Sequence, residues 1–297
     1  MFDLFKTKGL WLNWVGVETD LIFNKGVDLP NFASFPLLET EDGRGLLRAY
    51  YADLCEIGRS HGCGVVLESC TWMASRERGG PLGYDADALE RVNLSAIQLM
   101  EPFRAEGVLV SGNIGPCGDG YVAGSATQAQ YAAYHGPQIA SFAQTSADLI
   151  TGMTIPTVAE AAGLIEAAQA FAKPIAISFV VETDGCLPDG TPLMEAIASC
   201  DEQTEGQAVF FMVNCAHPDH MAPAFAVKVS PRLQGAIANA SRCTHAELDE
   251  AEVLDDGDPH ELGGQMAALR RTYPQLAVLG GCCGTDLRHI SEIVAAA

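Results

Sequence analysis

Three cysteines near the end of the chain have the residue type and spacing that a metal site needs. Cys282 and Cys283 are adjacent and follow an apolar run at 276–279, within the sequence GGCCGT at 280–285. The glycines on both sides let the backbone turn and let another group approach closely. A third thiol, Cys215, ends another apolar run. Three thiolates from two strand ends would hold Zn²⁺ and leave one tetrahedral position open, which distinguishes a catalytic zinc from a structural one.

Two plainer interpretations of these thiols stay open. Cysteine is a small residue that is often buried in protein cores, and any one of the ten cysteines in the chain could be no more than that. A vicinal disulfide between Cys282 and Cys283 is a second alternative, although such a bond is strained. The chain has no Cys-x-x-Cys pair of the kind that thioredoxin-like sites and zinc ribbons use.

Eight short apolar runs, separated by amphipathic stretches, would position these thiols. Such runs are typical of parallel strands buried on both faces, and most intervening stretches are long enough for a crossover helix. The pattern predicts an α/β fold, a single-domain (β/α)8 TIM barrel over residues 1–297, with catalytic groups at the carboxyl ends of the strands. An open doubly wound sheet is the alternative, but no glycine-rich phosphate-binding motif follows any strand. Strands are expected at 10–17, 64–69, 108–112, 147–151, 175–181, 208–215, 235–239 and 276–280, and the clearest helices at 46–59, 88–105, 126–143, 158–171, 193–200 and 262–272.

The expected strand ends carry polar and thiol residues. Strands six and eight are separated by one strand, so Cys215 and the Cys282–Cys283 pair can converge there as the catalytic and metal-binding groups. The polar residues could instead only cap the helices that follow. The candidate substrate contacts are Glu18, Thr19, Thr71, Asn113, Met153, Glu182, Asn214 and Asn239, with Ser69, Cys70 and Thr154 beside them.

Three loops at the same end are candidate lids or substrate walls, because long loops at an active face often carry function. They are 75–84, 117–126 and the acidic stretch 247–259. For the acidic stretch we favour a plainer interpretation, the exposed face of a helix followed by a turn at 256–259.

Aromatic and histidine residues near these loops are candidate ligand contacts. Trp72 and Tyr84 flank the first loop and are the foremost aromatic candidates for binding a cation, whereas packing is the expected role of Trp11, Trp14 and Tyr121. His217 and His220 follow Cys215, and they are expected to line or cap the site rather than to bind metal.

The net charge of the chain limits the classes of molecule that it is expected to bind. The chain has 38 acidic and 17 basic side chains and a formal net charge of −21, which disfavours nucleic acid and anionic membranes and attracts a small cation. No apolar segment reaches the ~20 residues of a membrane span, and the first residues lack the apolar core and cleavage site of a signal peptide. Ten cysteines without a secretion signal indicate a reducing cytoplasm. The sequence leaves a homo-oligomer open.

Five segments resemble the homocysteine S-methyltransferases, a family that includes betaine-dependent and S-methylmethionine-dependent enzymes. The resemblance implies a zinc-dependent (β/α)8 barrel in which Cys215, Cys282 and Cys283 hold the metal. It implies methyl transfer from a sulfonium or quaternary ammonium donor to a small thiol, most simply homocysteine, which would give methionine. The segments are VNC at 213–215, GGCCGT at 280–285, GNIGP at 112–116, TIPTVAEA at 154–161 and SFVVETDGCLPDGTPL at 178–193, in the family's order.

Two positions depart from the family's pattern. The chain has WVGVETD at 14–20 where the family carries an Asp-Gly-rich turn, and it has Met153 where the family has a Glu that holds the amino group of homocysteine. A thioether cannot pair with an ammonium group. We therefore expect homocysteine with Glu18 compensating, and the alternative is a thiol or selenol that lacks the amino group.

The chemistry that the resemblance implies depends on the sulfur of the acceptor. A free alkyl thiol has a pKa of about 8.5 and is mostly protonated at neutral pH, whereas coordination to zinc deprotonates it. The bound sulfur would attack the methyl group of an onium donor, whose positive charge disappears on transfer. The chain shows no adenosyl-binding fingerprint, which favours a sulfonium such as S-methylmethionine over S-adenosylmethionine as donor.

Two rival functions come from other classes. A non-catalytic zinc or thiol-redox protein would need an exposed thiol of low pKa with a resolving partner, and it would leave the polar strand ends unexplained. A zinc hydrolase generally uses histidine and carboxylate ligands to activate water, so three sulfur ligands argue against it.

Overall fold

The computed structural model describes residues 8–297, which form a closed barrel of eight parallel strands in sequential order. The barrel closes because β1 pairs with β2 on one side and with β8 on the other. This confirms the predicted (β/α)8 fold. The strands are β1 Trp11–Leu12, β2 Gly64–Glu68, β3 Val108–Ile114, β4 Leu149–Ile155, β5 Ile175–Val180, β6 Phe211–Ala216, β7 Leu233–Ala238 and β8 Val278–Gly281.

One main helix follows each strand and packs outside the barrel. The six predicted helices are present, with ends that differ by a few residues from the expected ones. A helix between β6 and β7 was not among them, since two prolines within its eight residues weaken the helical signal. The helices are α1 Glu41–Ser60, α2 Ala86–Met100, α3 Gln128–Ala143, α4 Val158–Ala170, α5 Leu193–Gln203, α6 Pro218–Phe225, α7 Pro259–Thr272 and α8 Leu287–Ala296.

Short helical turns interrupt the loops at both ends of the barrel. Among residues 8–297, no helix has both the length and the apolar character that a membrane span requires. The short turns are Val17–Thr19, Asp20–Asn24, Pro30–Phe32, Phe35–Glu39, Arg76–Gly79, Gly80–Leu82, Glu101–Phe103 and His245–Asp249.

The ends of β1 and β4 differ most from those that the sequence pattern predicts, and both differences affect the site. β1 stops at Leu12 because the side chain of Asn13 accepts a hydrogen bond from the backbone N–H of Trp14, which turns the chain. Glu18 therefore lies in a helical turn above the barrel rather than at a strand end. β4 continues to Ile155, so that Met153 is part of the strand itself.

The acidic stretch 247–259 is helical only at its start, so the favoured interpretation of a helical face is wrong beyond Asp249. The following residues run as an irregular wall, tied to the barrel where Ser241 donates a hydrogen bond of 2.6 Å to Asp255. The expected turn at 256–259 is present, with Gly257 at φ +55° and Asp258 capping α7.

The barrel interior contains an apolar cluster and a group of buried polar side chains. In the polar group, Glu68 accepts hydrogen bonds from Asn13 at 2.9 Å and from Thr151 at 2.8 Å. Burial raises the pKa of Glu68. Met153 follows Thr151 on β4 and reaches the carboxyl end of the barrel, where it lines the cavity above the cysteines. The apolar cluster comprises Trp11, Val66, Leu109, Leu149, Met153, Ala176, Phe210, Met212, Ile237 and Val278.

Candidate metal centre

The three cysteines predicted as ligands converge at the carboxyl end of the barrel. Their sulfur atoms all lie within 4.8 Å of one another, and those of Cys215 and Cys282 are 2.8 Å apart. In residues 8–297, no other group of three His, Cys, Asp or Glu side chains has the spacing of metal ligands. An all-sulfur set from three neighbouring side chains fits a soft or borderline ion such as Zn²⁺.

Cys215 is held in a backbone conformation that is unusual for its residue type. Its φ is +55°, in the left-handed region that costs a residue with a side chain roughly 1–3 kcal/mol. Its carbonyl oxygen accepts hydrogen bonds from Asn239 Nδ2 at 3.1 Å and from His245 Nε2 at 2.5 Å. These two bonds offset the strain and direct the thiol toward Cys282.

Thr154 on β4 has a second strained backbone, with φ +64°. Asn214 clamps it from the next strand but one: the amide Oδ1 accepts from the Thr154 N–H at 3.1 Å, and Nδ2 donates to the hydroxyl at 2.8 Å. Ser178 also donates to this Oδ1, at 2.7 Å. Asn214 thus orders the strand ends on both sides of the thiols, and Thr154 Oγ1 lies 4.0 Å from Cys215 Sγ.

The turn after β8 packs tightly against the chain after β1. A Cβ atom on Gly16 would lie 2.3 Å from the carbonyl oxygen of Cys282, so only glycine allows this approach. The Gly16 N–H donates to Thr285 Oγ1 at 3.2 Å, and the Gly284 N–H donates to Thr19 Oγ1 at 3.1 Å. Thr19, predicted as a substrate contact, therefore also fixes the turn that carries the vicinal cysteines.

The three thiols do not share negative charge equally. Hydrogen bonds from Cys282 and Cys283, and a further one of 3.5 Å from the Tyr121 hydroxyl, lower the pKa of Cys215 well below its usual range. The pKa values of Cys282 and Cys283 are raised by the same contacts with Cys215 and by burial. These contacts therefore favour the thiolate form of Cys215.

His245 was not predicted to belong to the site, but the structure places it beside Cys215. Its ring stacks on Tyr121 with centroids 4.0 Å apart, and its Nδ1 lies 3.2 Å from Glu182 Oε1. Both ring nitrogens lie within hydrogen-bond distance of oxygen atoms. The His245 ring also contributes to the low pKa of the nearby Cys215.

His217 and His220 do not belong to the group of three cysteines that has the spacing of metal ligands, as expected. His217 Nδ1 accepts a hydrogen bond of 3.1 Å from the Asp219 N–H at the start of α6. Burial lowers the pKa of His217 to about 4. This histidine therefore caps a helix, in agreement with its predicted role.

A cavity of about 60 Å³ lies directly above the thiols. Glu18 enters its wall, where Oε1 accepts a hydrogen bond of 2.6 Å from Ser34. Burial raises the pKa of Glu18. Met153 contributes a thioether to the same wall. The cavity is lined by Trp14, Gly16, Glu18, Thr19, Phe32, Trp72, Asn113, Tyr121, Met153, Thr154, Cys215, Cys282 and Cys283.

The predicted substrate contacts fall into two groups. Glu18, Thr19, Asn113 and Met153 line the small cavity. The other four support it: Thr71 donates to the backbone of Asn113 at 2.8 Å, Glu182 contacts His245, Asn214 holds Thr154, and Asn239 holds Cys215. Direct contact of any of the eight with a substrate stays a prediction.

A second cavity, of about 690 Å³, adjoins the first and shares part of its wall. The loops predicted as lids form much of its lining. Trp72 belongs to both walls, whereas Tyr84 packs edge-on against Phe35 with ring centroids 4.9 Å apart. Tyr121, expected only to pack, stands between the two cavities. The shared residues are Thr19, Phe32, Trp72, Tyr121 and Cys283.

The family model described as Homocysteine S-methyltransferase matches residues 16–297. The chain belongs to the homocysteine S-methyltransferase family. A homocysteine S-methyltransferase of Bacillus subtilis (strain 168) is 25% identical over 201 residues, which are 63% of this chain and 61% of the relative. One of Escherichia coli (strain K12) is 26% identical over 210 residues, 66% of this chain and 65% of the relative. The chain thus spans less than two thirds of the length of either curated relative.

Solved structures of a family member share the fold. The homocysteine methyltransferase MmuM from Escherichia coli superposes with a TM-score of 0.74 in its oxidized form and 0.73 in its metallated form. Each match covers 97% of this chain and 96% of the other, at 20% identity. The likeness extends over nearly the whole barrel.

Proposed function

We propose that the chain is a zinc-dependent S-methyltransferase that moves a methyl group from an onium donor to homocysteine and yields methionine. The observation that carries this proposal is the set of three convergent thiols at the base of a small cavity that adjoins a large, acidic and aromatic one. Membership of the homocysteine S-methyltransferase family supports the reaction and the acceptor.

The residues that would hold the metal are Cys215, Cys282 and Cys283. When bound there, zinc would supply a coordination position at which the acceptor thiol loses its proton and remains nucleophilic. In the transfer, a bond forms between this sulfur and the methyl carbon while the bond from the methyl carbon to the onium atom breaks. The bonding electron pair stays with the donor, which leaves without its positive charge.

The chain's own side chains would orient the acceptor. Glu18 is the carboxylate in the wall of the small cavity, and it would pair with the ammonium group of homocysteine in place of the glutamate that Met153 replaces. His245 and Asn239 would keep Cys215 in its strained conformation during turnover. A different acceptor, a thiol or selenol without an amino group, is the second candidate, and the thioether of Met153 favours it.

The aromatic residues between the two cavities would receive the onium group. Phe32, Trp72 and Tyr121 belong to both walls, and aromatic faces attract sulfonium and quaternary ammonium cations. The large cavity would hold the rest of the donor. We further propose that residues 1–297 are one domain and that the protein acts in the cytoplasm, on small molecules rather than on nucleic acid or membrane, with the oligomeric state left open.

Transfer of a labelled methyl group tests the proposal. Zinc-loaded protein is incubated with S-methylmethionine, betaine or S-adenosylmethionine, each labelled in the methyl group, and with a panel of small thiols. We expect labelled methionine from homocysteine, with the sulfonium S-methylmethionine as the better donor. Absence of a methylated thiol from every pairing would instead favour the non-catalytic zinc or thiol-redox protein.

A further inference from the structure

The large cavity has an unequal distribution of charge. Four carboxylate side chains belong to its lining: Glu77, Asp119, Asp249 and Asp255. Burial and, to a smaller extent, the neighbouring Asp119 raise the pKa of Asp249, whereas His245 lowers it. These carboxylates suit the positive part of an onium donor. For a donor that also carries a carboxylate, these acidic side chains offer no partner for that group.

Arg78 is the only arginine or lysine that lines this cavity in the described part of the chain. It lies on the short helix Arg76–Gly79, and its guanidinium carbon is 5.6 Å from the centre of the Trp72 ring. Its Nη1 donates to the thioether sulfur of Met73 at 3.0 Å, a weak acceptor, and its buried Nε–H has no acceptor. Within residues 8–297, no carboxylate forms an ion pair with this guanidinium.

A half-buried guanidinium without a carboxylate partner is an uncommon and costly arrangement. Arginine presents several N–H groups in a planar fork that matches the two oxygens of a carboxylate. Arg78 lines the large cavity and is absent from the lining of the small one above the thiols. A carboxylate that it binds would therefore belong to the donor and not to the acceptor.

We propose that Arg78 binds the carboxylate group of an onium donor such as S-methylmethionine or betaine, and that it sets the preference of this chain for such donors over simple onium cations. This inference rests on the proposed function in so far as it assigns the large cavity to the donor. The carboxylate binds the guanidinium at the Trp72 side of the cavity, and the onium group reaches the aromatic residues shared with the small cavity. The acidic side chains of the same lining attract the positive charge.

Equilibrium binding of two matched sulfonium probes tests this assignment. Dimethylsulfonioacetate carries a carboxylate, and (2-hydroxyethyl)dimethylsulfonium has nearly the same size without one. Both are titrated calorimetrically into the full-length, zinc-loaded protein. The variants are Arg78→Gln, Arg78→Lys and the matched control Arg76→Gln, which changes an exposed arginine of the same helix that does not line the cavity.

A charge-assisted hydrogen bond to the carboxylate predicts a tenfold to roughly hundredfold preference for dimethylsulfonioacetate in the unchanged protein. Arg78→Gln should abolish this preference by weakening that probe alone, Arg78→Lys should keep part of it, and Arg76→Gln should change neither affinity. Equal affinities for both probes in the unchanged protein, binding of neither, or an equal loss for both in Arg78→Gln would overturn the assignment.

Methyl transfer measured on the same samples separates this inference from the proposed function. Carboxylate-selective binding that depends on Arg78, without any methyl transfer, would remove the proposed function and leave the anchor. Transfer that proceeds from both probes with the same KM in Arg78→Gln and in the unchanged protein would remove the anchor and leave the function.

Discussion

Replacing Glu18 by glutamine tests how the chain binds an acceptor without the glutamate that Met153 replaces. Glu18 is 9% exposed, its carboxylate lines the cavity above the thiols, and it accepts a hydrogen bond from Ser34. Glutamine keeps the shape and an acceptor oxygen for Ser34 but removes the negative charge. The change therefore isolates the pairing of the carboxylate with the ammonium group of homocysteine.

The size of the effect follows from the burial of the pair. A hydrogen bond between charged groups contributes about 1.5–3 kcal/mol, so Glu18→Gln should raise the KM for homocysteine roughly 10-fold to 150-fold. The desamino analogue 4-mercaptobutanoate has no ammonium group, and its KM should change little. Met153→Glu, which restores a carboxylate in the neighbouring wall, should leave homocysteine binding unchanged or improve it.

The pH dependence of the KM for homocysteine is an independent test of the pairing between Glu18 and the ammonium group. Burial raises the pKa of Glu18, and the neutral acid cannot pair with an ammonium group. The KM for homocysteine should therefore rise as the pH falls through this raised pKa, while the KM for 4-mercaptobutanoate should not follow it. Initial rates in a series of buffers, with the exposed Glu39→Gln as the matched control, measure both values.

Two results would refute this reasoning. If Glu18→Gln raised the KM for both thiols alike, the residue would support the cavity and not the amino group. If homocysteine were inert while 4-mercaptobutanoate was methylated, the acceptor would lack the amino group, and the zinc-thiolate chemistry alone would remain.

Three further predictions concern stability and metal retention. Burial raises the pKa of Glu18 in the folded protein. The protonated carboxyl group therefore contributes to stability below the pKa of the unfolded chain, about 4.3, and this contribution is lost as the pH rises through the folded-state pKa. Glu18→Gln should accordingly increase the free energy of unfolding at pH 7 and not at pH 4, as measured by urea denaturation. Asn239→Ala removes one of the two bonds to the strained Cys215 carbonyl, so zinc affinity in chelator competition should fall by about 10-fold to 100-fold. His217→Ala and His220→Ala should leave the zinc content unchanged by metal analysis, since neither belongs to the thiol cluster.

The barrel and the thiol cluster could be predicted from the sequence because both depend on local patterns. Continuous apolar runs indicate strands buried on two faces, and parallel strands bring their carboxyl ends to one edge. Cys215 and the vicinal cysteines follow such runs, so their convergence needs no knowledge of the loops. The number of strands alone places the ends of strands six and eight close enough for their cysteines to meet.

His245 could not be predicted in the same way. It lies 30 residues after Cys215 along the chain, in a short helical turn after β7, and its contact depends on the path of that loop. The spacing of apolar residues in the sequence does not indicate which path a loop follows. The early end of β1 could not be predicted for a related reason, since a hydrogen bond from the Trp14 backbone N–H to the Asn13 side chain, and not a change in hydrophobicity, ends the strand.

Zinc analysis of the purified protein and of its cysteine variants tests whether the three thiols hold the metal. We expect one zinc per chain in the unchanged protein and loss of tight binding in each of Cys215→Ser, Cys282→Ser and Cys283→Ser, because each sulfur supplies one of the three proposed protein ligands. Cys243→Ser, which changes an exposed cysteine outside the cluster, is the matched control and should keep its zinc. A stoichiometric, tightly bound zinc that survives the loss of Cys283 would contradict the account.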